Sequence, residues 1–255
     1  MFGSEMTPNS CFAYLFSAIS ALATAGLAYA DPDAAKKDDS TATPPAYKFT
    51  VGWYDFSDHT TGLDLNLRRS AAIGNAWIGY FRLADQRITQ WRTGWDNSYG
   101  TAVRFSPSIQ FASHGFVGGS IQVETGAPWF AGVGLGRTNL RPYWNLNFDP
   151  NDAYTLSAGH RSPDNQLFMF QLVRDNRQNP DQQHMHFVYR QLLADGERMT
   201  VDALYKTGLV GDERIHRWGL SLTYDWPRFF AHVAWDPRTN FTPVDSLRLS
   251  VGTRF

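Results

Sequence analysis

The chain has 255 residues, 43% of them hydrophobic and only 18% charged, with a formal net charge of −1 and a pI near 6.6. That length allows one large domain or two small ones, and the near-neutral balance gives no global basic field for nucleic acid. Cys11 is the sole cysteine, which excludes an internal disulfide framework and any cysteine-based metal centre.

The first element reads as an export signal. Residues 12–27 (FAYLFSAISALATAGL) form an apolar run, short for a membrane span, that leads into Ala28-Tyr29-Ala30 before Asp31. An A-x-A triplet after such a run is a signal-peptidase pattern. The ten residues before it carry no Lys or Arg, which departs from the usual basic start, and Cys11 precedes the run and so is not placed for lipid attachment after cleavage. Residues 1–30 are expected to be a cleaved signal peptide. Residues 31–45 (DPDAAKKDDSTATPP), polar and poor in bulky side chains, are expected to be a flexible periplasmic lead-in.

Residues 46–255 contain no further apolar run of the roughly 18–20 residues that a membrane helix needs. They alternate instead with period two, between turn residues. Strands are predicted at about 47–56, 61–70, 75–84, 87–96, 101–113, 116–125, 129–136, 152–161, 166–174, 184–193, 197–207, 215–226, 229–236 and 246–255. Leu63, Leu65 and Leu67 oppose Asp64, Asn66 and Arg68; Val103, Phe105, Ile109 and Phe111 oppose Arg104, Ser106, Ser108 and Gln110. Trp218, Leu220, Leu222, Tyr224 and Trp226 oppose Arg217, Ser221, Thr223 and Asp225. In the last strand Leu247, Leu249, Val251 and Phe255 oppose Ser246, Arg248, Ser250, Gly252 and Arg254.

A mean hydropathy of −0.37 beside 15% aromatic residues fits a wall whose lipid-facing and lumen-facing residues cancel. A β-sandwich would bury its apolar faces on one another, but the export signal and the Trp and Tyr residues at segment ends favour a barrel. The expected fold is all-β: a transmembrane, antiparallel, up-and-down barrel of fourteen strands, or twelve if weak segments such as 129–136 are loops. An even count puts both termini in the periplasm. The tight connections (SAAIGN, DNSYG, GAP, SPDN, ADG and the Asp225-Trp226-Pro227 corner) then lie there too. The long connections, 137–151, 175–183, 208–214 and 237–245, face outward.

With this patterning the domain resembles the bacterial outer-membrane β-barrels, the porin-like class as a whole. The alternating last strand ending in Phe255 is similar to the signal such barrels present to their insertion machinery. The resemblance implies a Gram-negative outer membrane, contact with its lipids and lipopolysaccharide, recognition by that machinery, and passage of small solutes.

The polar strand faces collect ten basic residues (Arg68, Arg82, Arg92, Arg104, Arg161, Arg190, Lys206, Arg217, Arg248, Arg254) and six acidic ones (Asp64, Asp96, Glu124, Asp202, Asp225, Asp236). A track of guanidinium groups replaces lost hydration around anionic solutes, so Arg82, Arg92, Arg104, Arg190, Arg217 and Arg248 are the expected pore-lining residues. The competing reading is that the charges pair across strands and fill the interior. Segment 137–151 also has two readings. It is either an inward constriction, with Arg137, Arg141 and Asp149 at an eyelet beside Tyr143 and Trp144, or a surface cap built on Asn and Asp-Pro turns.

Signals for chemistry are sparse. His184 and His186 share one strand face, an i,i+2 spacing compatible with a metal, but no third ligand stands near them in the sequence. Asp149 and Asp152 lack the repeated spacing of a calcium loop. Neither a metal nor a cofactor is expected. Gly132, Gly134 and Gly136 lack the later glycine of a dinucleotide fingerprint and suit close packing or strand curvature. His160-Arg161-Ser162 is a His-x-Ser triplet, which resembles that of outer-membrane phospholipase A and lipid A 3-O-deacylase. The resemblance implies a base, a nucleophile and a polar partner, here His160, Ser162 and Asp175. Pro163 stands where that pattern has Asn, and Arg174 and Asp175 fall where the partner is sought. The leading expectation is therefore a passive pore with a basic lumen, favouring small anionic or polar solutes. A lipid acyl hydrolase and a closed structural or assembly barrel are the alternatives.

Overall fold

A computed structural model describes residues 46–84, 88–147, 149–164 and 166–255; the signal peptide and lead-in expected over 1–45 lie outside the described residues. Fourteen strands form a single closed sheet: β1 (Tyr47–Phe56), β2 (Thr61–Ala71), β3 (Gly74–Leu83), β4 (Ile88–Asp96), β5 (Val103–Ala112), β6 (Phe116–Thr125), β7 (Trp129–Thr138), β8 (Ala153–Arg161), β9 (Leu167–Asp175), β10 (Gln183–Leu192), β11 (Arg198–Val210), β12 (Glu213–Asp225), β13 (Phe229–Asp236) and β14 (Ser246–Arg254). Every strand pairs antiparallel with its sequence neighbours. β1 closes on β14 with Lys48 opposite Arg254 and Phe56 opposite Ser246. At that seam Tyr47 and Phe255 exchange backbone hydrogen bonds of 2.9 and 3.0 Å and stack their rings. The count is fourteen, and 129–136 belongs to a full strand.

Alternation explains the wall. Leu63, Leu67, Phe105, Ile109, Phe111, Trp218, Leu220, Leu249 and Val251 are all exposed on the outside, while Asp64, Gln90, Arg92, Gln110, Lys206 and Asp225 are buried on the inside. So large a continuous apolar surface far exceeds what a water-soluble monomer exposes, and it is what a barrel presents to lipid. No described helix is long and apolar enough to cross a membrane, and the closed sheet pairs every strand edge, as a membrane-spanning barrel must.

The barrel has two ends. The terminus end carries residues 46 and 255 and the short connections after β2, β4, β6, β8, β10 and β12. Gly74 illustrates how tight these are: its φ is +114°, and a Cβ there would lie 2.6 Å from both Trp95 Nε1 and the Asp96 carbonyl. The loop end carries the remaining connections. One expected long loop is absent: over 208–214 the pairing of β11 with β12 continues to Val210 opposite Glu213, leaving only residues 211–212 to turn. The reason is packing. Buried Val210 and Ile215 cluster with Phe241 of the 237–245 connection, which rewards extending the hairpin beyond the wall.

Candidate functional site: a loop-filled, ion-paired lumen

The connection between β7 and β8 turns into the barrel and does not cap it. Leu146 is buried in a cluster with Tyr54 and Phe56 of β1 and Phe81 and Leu83 of β3. Trp144 stacks on Phe81 (5.8 Å between ring centroids) and meets Phe56 edge-on. Gln90 of β4 clamps the Trp144 backbone from both sides, accepting from its N–H (2.7 Å) and donating to its carbonyl (3.0 Å). Tyr143 stacks on Phe116 of β6 at 4.3 Å, and burial pushes its phenol pKa up. Arg248 of β14 donates to the Leu146 carbonyl (3.2 Å), and Asn240 donates to the Asn145 carbonyl (3.0 Å). Asn145 shapes the turn locally, accepting from Asn147 N–H and donating to the Asp149 carbonyl.

The far side of the loop is held by charge. Asp149 Oδ1 accepts from His184 Nδ1 (2.6 Å) and from His186 Nε2 (3.0 Å) on β10, and His186 Nδ1 donates to Asp202 Oδ2 (2.9 Å) on β11. Burial alone would raise the Asp149 carboxyl, but the His186 charge and the two histidine hydrogen bonds outweigh it and hold the group well below the usual carboxylate range. Thus one loop bridges β1, β3, β4, β6, β10 and β14 across the interior.

Of the expected constriction residues, Tyr143, Trp144 and Asp149 enter the lumen, whereas Arg137 and Arg141 do not. Arg137 is exposed, lies over the outward Tyr154 ring and donates to Asn176 Oδ1 (2.6 Å); Arg141 is exposed on the loop surface. A calcium pair is also not formed. Asp152 turns away from Asp149 to accept from Thr138 Oγ1 (2.6 Å) and Arg177 Nη1 (3.0 Å).

Among the expected pore-lining residues, Arg92, Arg104, Arg190 and Arg248 point inward. Arg217 occupies the inward register opposite Lys206, but it is solvent-exposed where β12 rises above β13, and it folds onto the His216 carbonyl (3.1 Å). Arg82 faces outward, exposed and opposite Leu63. The polarity rule fails there because the inward residues beside it, Phe81 and Leu83, are themselves apolar and pack on the loop.

The six carboxylates expected on the lumen face are all ion-paired. At the loop end and mid-barrel, Asp64 pairs with Arg92 (2.6 Å), Asp236 with Lys206 (2.5 Å) and Asp202 with His186. Gly79 makes room for the first of these pairs, since a Cβ there would sit 2.8 Å from Arg92 Nε. At the terminus end, Asp96 pairs with Arg68 (2.7 Å), Glu124 with Arg161 (2.9 Å) and Arg104 (3.7 Å), and Asp225 with Arg198 and Arg254. Lys48 and Arg190 complete that ring, so among the described residues seven basic side chains face three carboxylates, an excess of four positive charges (7 − 3 = 4). Lys48 and Arg198 were missed as lumen residues in the sequence, although each alternates with an outward neighbour in the same way as the others.

The hydrolase constellation does not assemble. His160 lies on the outer face against Trp129 (4.6 Å), and Ser162 Oγ accepts from Gln166 N–H within the β8–β9 turn. Asp175 sits at the loop end, where it accepts from the Arg177 and Gln178 backbones. In register Asp175 opposes Ala153 while His160 opposes Phe168. That seven-residue offset corresponds to about 23 Å along the strands. No hydrogen-bonded relay spans that distance.

No protein-family model matches the chain, and no curated protein sequence matches it. Among solved structures, the barrel is similar to the Acinetobacter baumannii outer membrane protein Omp33, with a TM-score of 0.54 and 10% identity over 83% of this chain and 98% of that one. The KdgM porin matches with a TM-score of 0.46 and 10% identity, over 82% of this chain and 99% of that one. The NanC porin matches at 0.42 and 10% identity, over 81% and 100% respectively. What the chain shares with Omp33 is the fold, a closed antiparallel barrel of the outer-membrane type.

Proposed function

We propose that this chain is an outer-membrane pore through which small anionic or polar solutes diffuse. The observation that carries the reading is the ring of Lys48, Arg68, Arg104, Arg161, Arg190, Arg198 and Arg254, which exceeds its three carboxylates at one mouth of a lipid-facing barrel. Fourteen strands enclose more space than the eight-stranded barrels that side chains alone fill. The inward loop between β7 and β8 narrows that space, which supports selection by size as well as charge. Export through the signal peptide ending at Ala30, periplasmic termini, and insertion guided by the strand ending at Phe255 complete the proposal. The outward Trp, Phe and Leu residues contact outer-membrane lipid and lipopolysaccharide.

Single-channel recording of the refolded mature chain in planar bilayers, under a salt gradient, tests it. Discrete steps with a reversal potential favouring anions are expected. Barrels that insert but stay silent would overturn the pore and leave the closed structural barrel.

A further inference from the structure

The geometry points to a divalent transition-metal site of the zinc class at Asp149, His184 and His186, which would pin the inward loop to the wall of the barrel. The inference goes beyond the pore proposal and does not depend on it. The ligand atoms of the three residues all lie within 4.8 Å of one another, and all three residues are buried. Two of the three contacts are already made: His184 Nδ1 and His186 Nε2 converge on one oxygen, Asp149 Oδ1, at 2.6 and 3.0 Å. Metal–ligand bonds of about 2.0–2.2 Å place tetrahedral ligand atoms roughly 3.3 Å apart. To take an ion, each histidine nitrogen must draw back from Asp149 Oδ1 by tenths of an ångström, and the two ring nitrogens, within 4.8 Å of each other, must close by up to about 1.5 Å, a change small ring rotations supply.

Two imidazoles and one carboxylate supply three of zinc's four positions, leaving the fourth for water or a solute. This donor set favours zinc or its late transition-metal neighbours over magnesium or calcium, which take oxygen. A supporting shell is present as well. Asp202 accepts from His186 Nδ1 at 2.9 Å, which orients the ring and leaves Nε2 as the ligand atom, the carboxylate–histidine–metal arrangement. Without metal both ring nitrogens of His186 face carboxylates, which only accept, so the ring carries two protons; zinc takes the place of the one on Nε2. On the opposite side, Phe241 stacks on His184 at 5.2 Å and fixes that ring. Lys206, the cross-strand neighbour of His184, is paired with Asp236 at 2.5 Å, which offsets its repulsion of a cation.

Calorimetric titration of the tag-free, refolded chain with zinc chloride, with magnesium chloride as control, is the test. One equivalent of zinc should bind saturably, and magnesium should not. The double variant H184A/H186A should weaken zinc by at least a hundredfold, and Asp149→Asn should also weaken it strongly. D202N, which removes a residue that does not touch the ion, should cost about 10- to 100-fold. Barrel formation is checked by circular dichroism, with H184Q/H186Q standing in if the alanine pair fails to fold. Absence of saturable zinc binding, or equal affinity in the folded double variant, overturns the site. Because binding is read without current, a silent barrel in bilayers would reject the pore proposal and leave this inference standing.

Discussion

The two ends of the lumen handle the same residue types in opposite ways. At the loop end inward polar groups from several strands hold the β7–β8 loop: Gln90 grips Trp144, Arg248 reaches Leu146, and two histidines take Asp149. At the terminus end no loop enters among the described residues, and the charges face one another with a basic excess. The first region is a built constriction with a hydrophobic centre, and the second is an electrostatic mouth. Buried polar networks of the first kind specify a unique structure because each unmade bond carries the full desolvation cost. Charges of the second kind, with water beside them, are worth less to stability and more to steering.

Changes that break the constriction should be the largest. Asp149→Ala strips the common acceptor from two buried histidines and should cost loop docking about 3 kcal/mol. Limited proteolysis at Arg141, compared between variant and parent, should accelerate by on the order of a hundredfold while the barrel remains folded. Leu146→Ala comes next. It empties the space among Tyr54, Phe56, Phe81 and Leu83, and about 2–5 kcal/mol of the same docking should be lost, read by the same cleavage assay.

A smaller effect, of a different kind, is expected at the mouth. The double variant K48Q/R190Q should lower the anion-over-cation permeability ratio several-fold, measured as a shift in reversal potential, with loop cleavage unchanged. The double variant D64N/R92Q should do the reverse, loosening the loop where Arg92 holds the Tyr143 side chain while moving selectivity little, because it removes one charge of each sign. If the Asp64–Arg92 pair set selectivity and the Lys48 and Arg190 charges did not, the division between constriction and mouth would be wrong. The smallest effect belongs to Arg82→Gln, which should alter neither readout, since Arg82 points away from the lumen.

Much of this was legible in the chain before its folding was known. Alternation around Leu63–Leu67, Val103–Phe111 and Leu247–Phe255 placed lipid and lumen faces correctly, because a pleated strand exposes successive side chains to opposite sides whatever its neighbours are. The same rule misplaced Arg82, where Phe81 and Leu83 are inward and apolar because a loop more than sixty residues away packs on them. It also left Asp149 unconnected to His184 and His186, separated by 35 and 37 residues.

The sequence by itself determined the strand segments, with fourteen or twelve left open, their approximate bounds and the sidedness of most of their residues, all properties with a period of two and no need of distant partners. Only the tertiary structure decided that the 139–152 connection enters the barrel. It also decided which arginines are consumed in ion pairs, that Asp175 lies far from His160, and that a carboxylate joins two histidines. Those outcomes depend on closing the sheet, which brings non-adjacent strands to face one another across a shared interior, and no local pattern encodes that meeting.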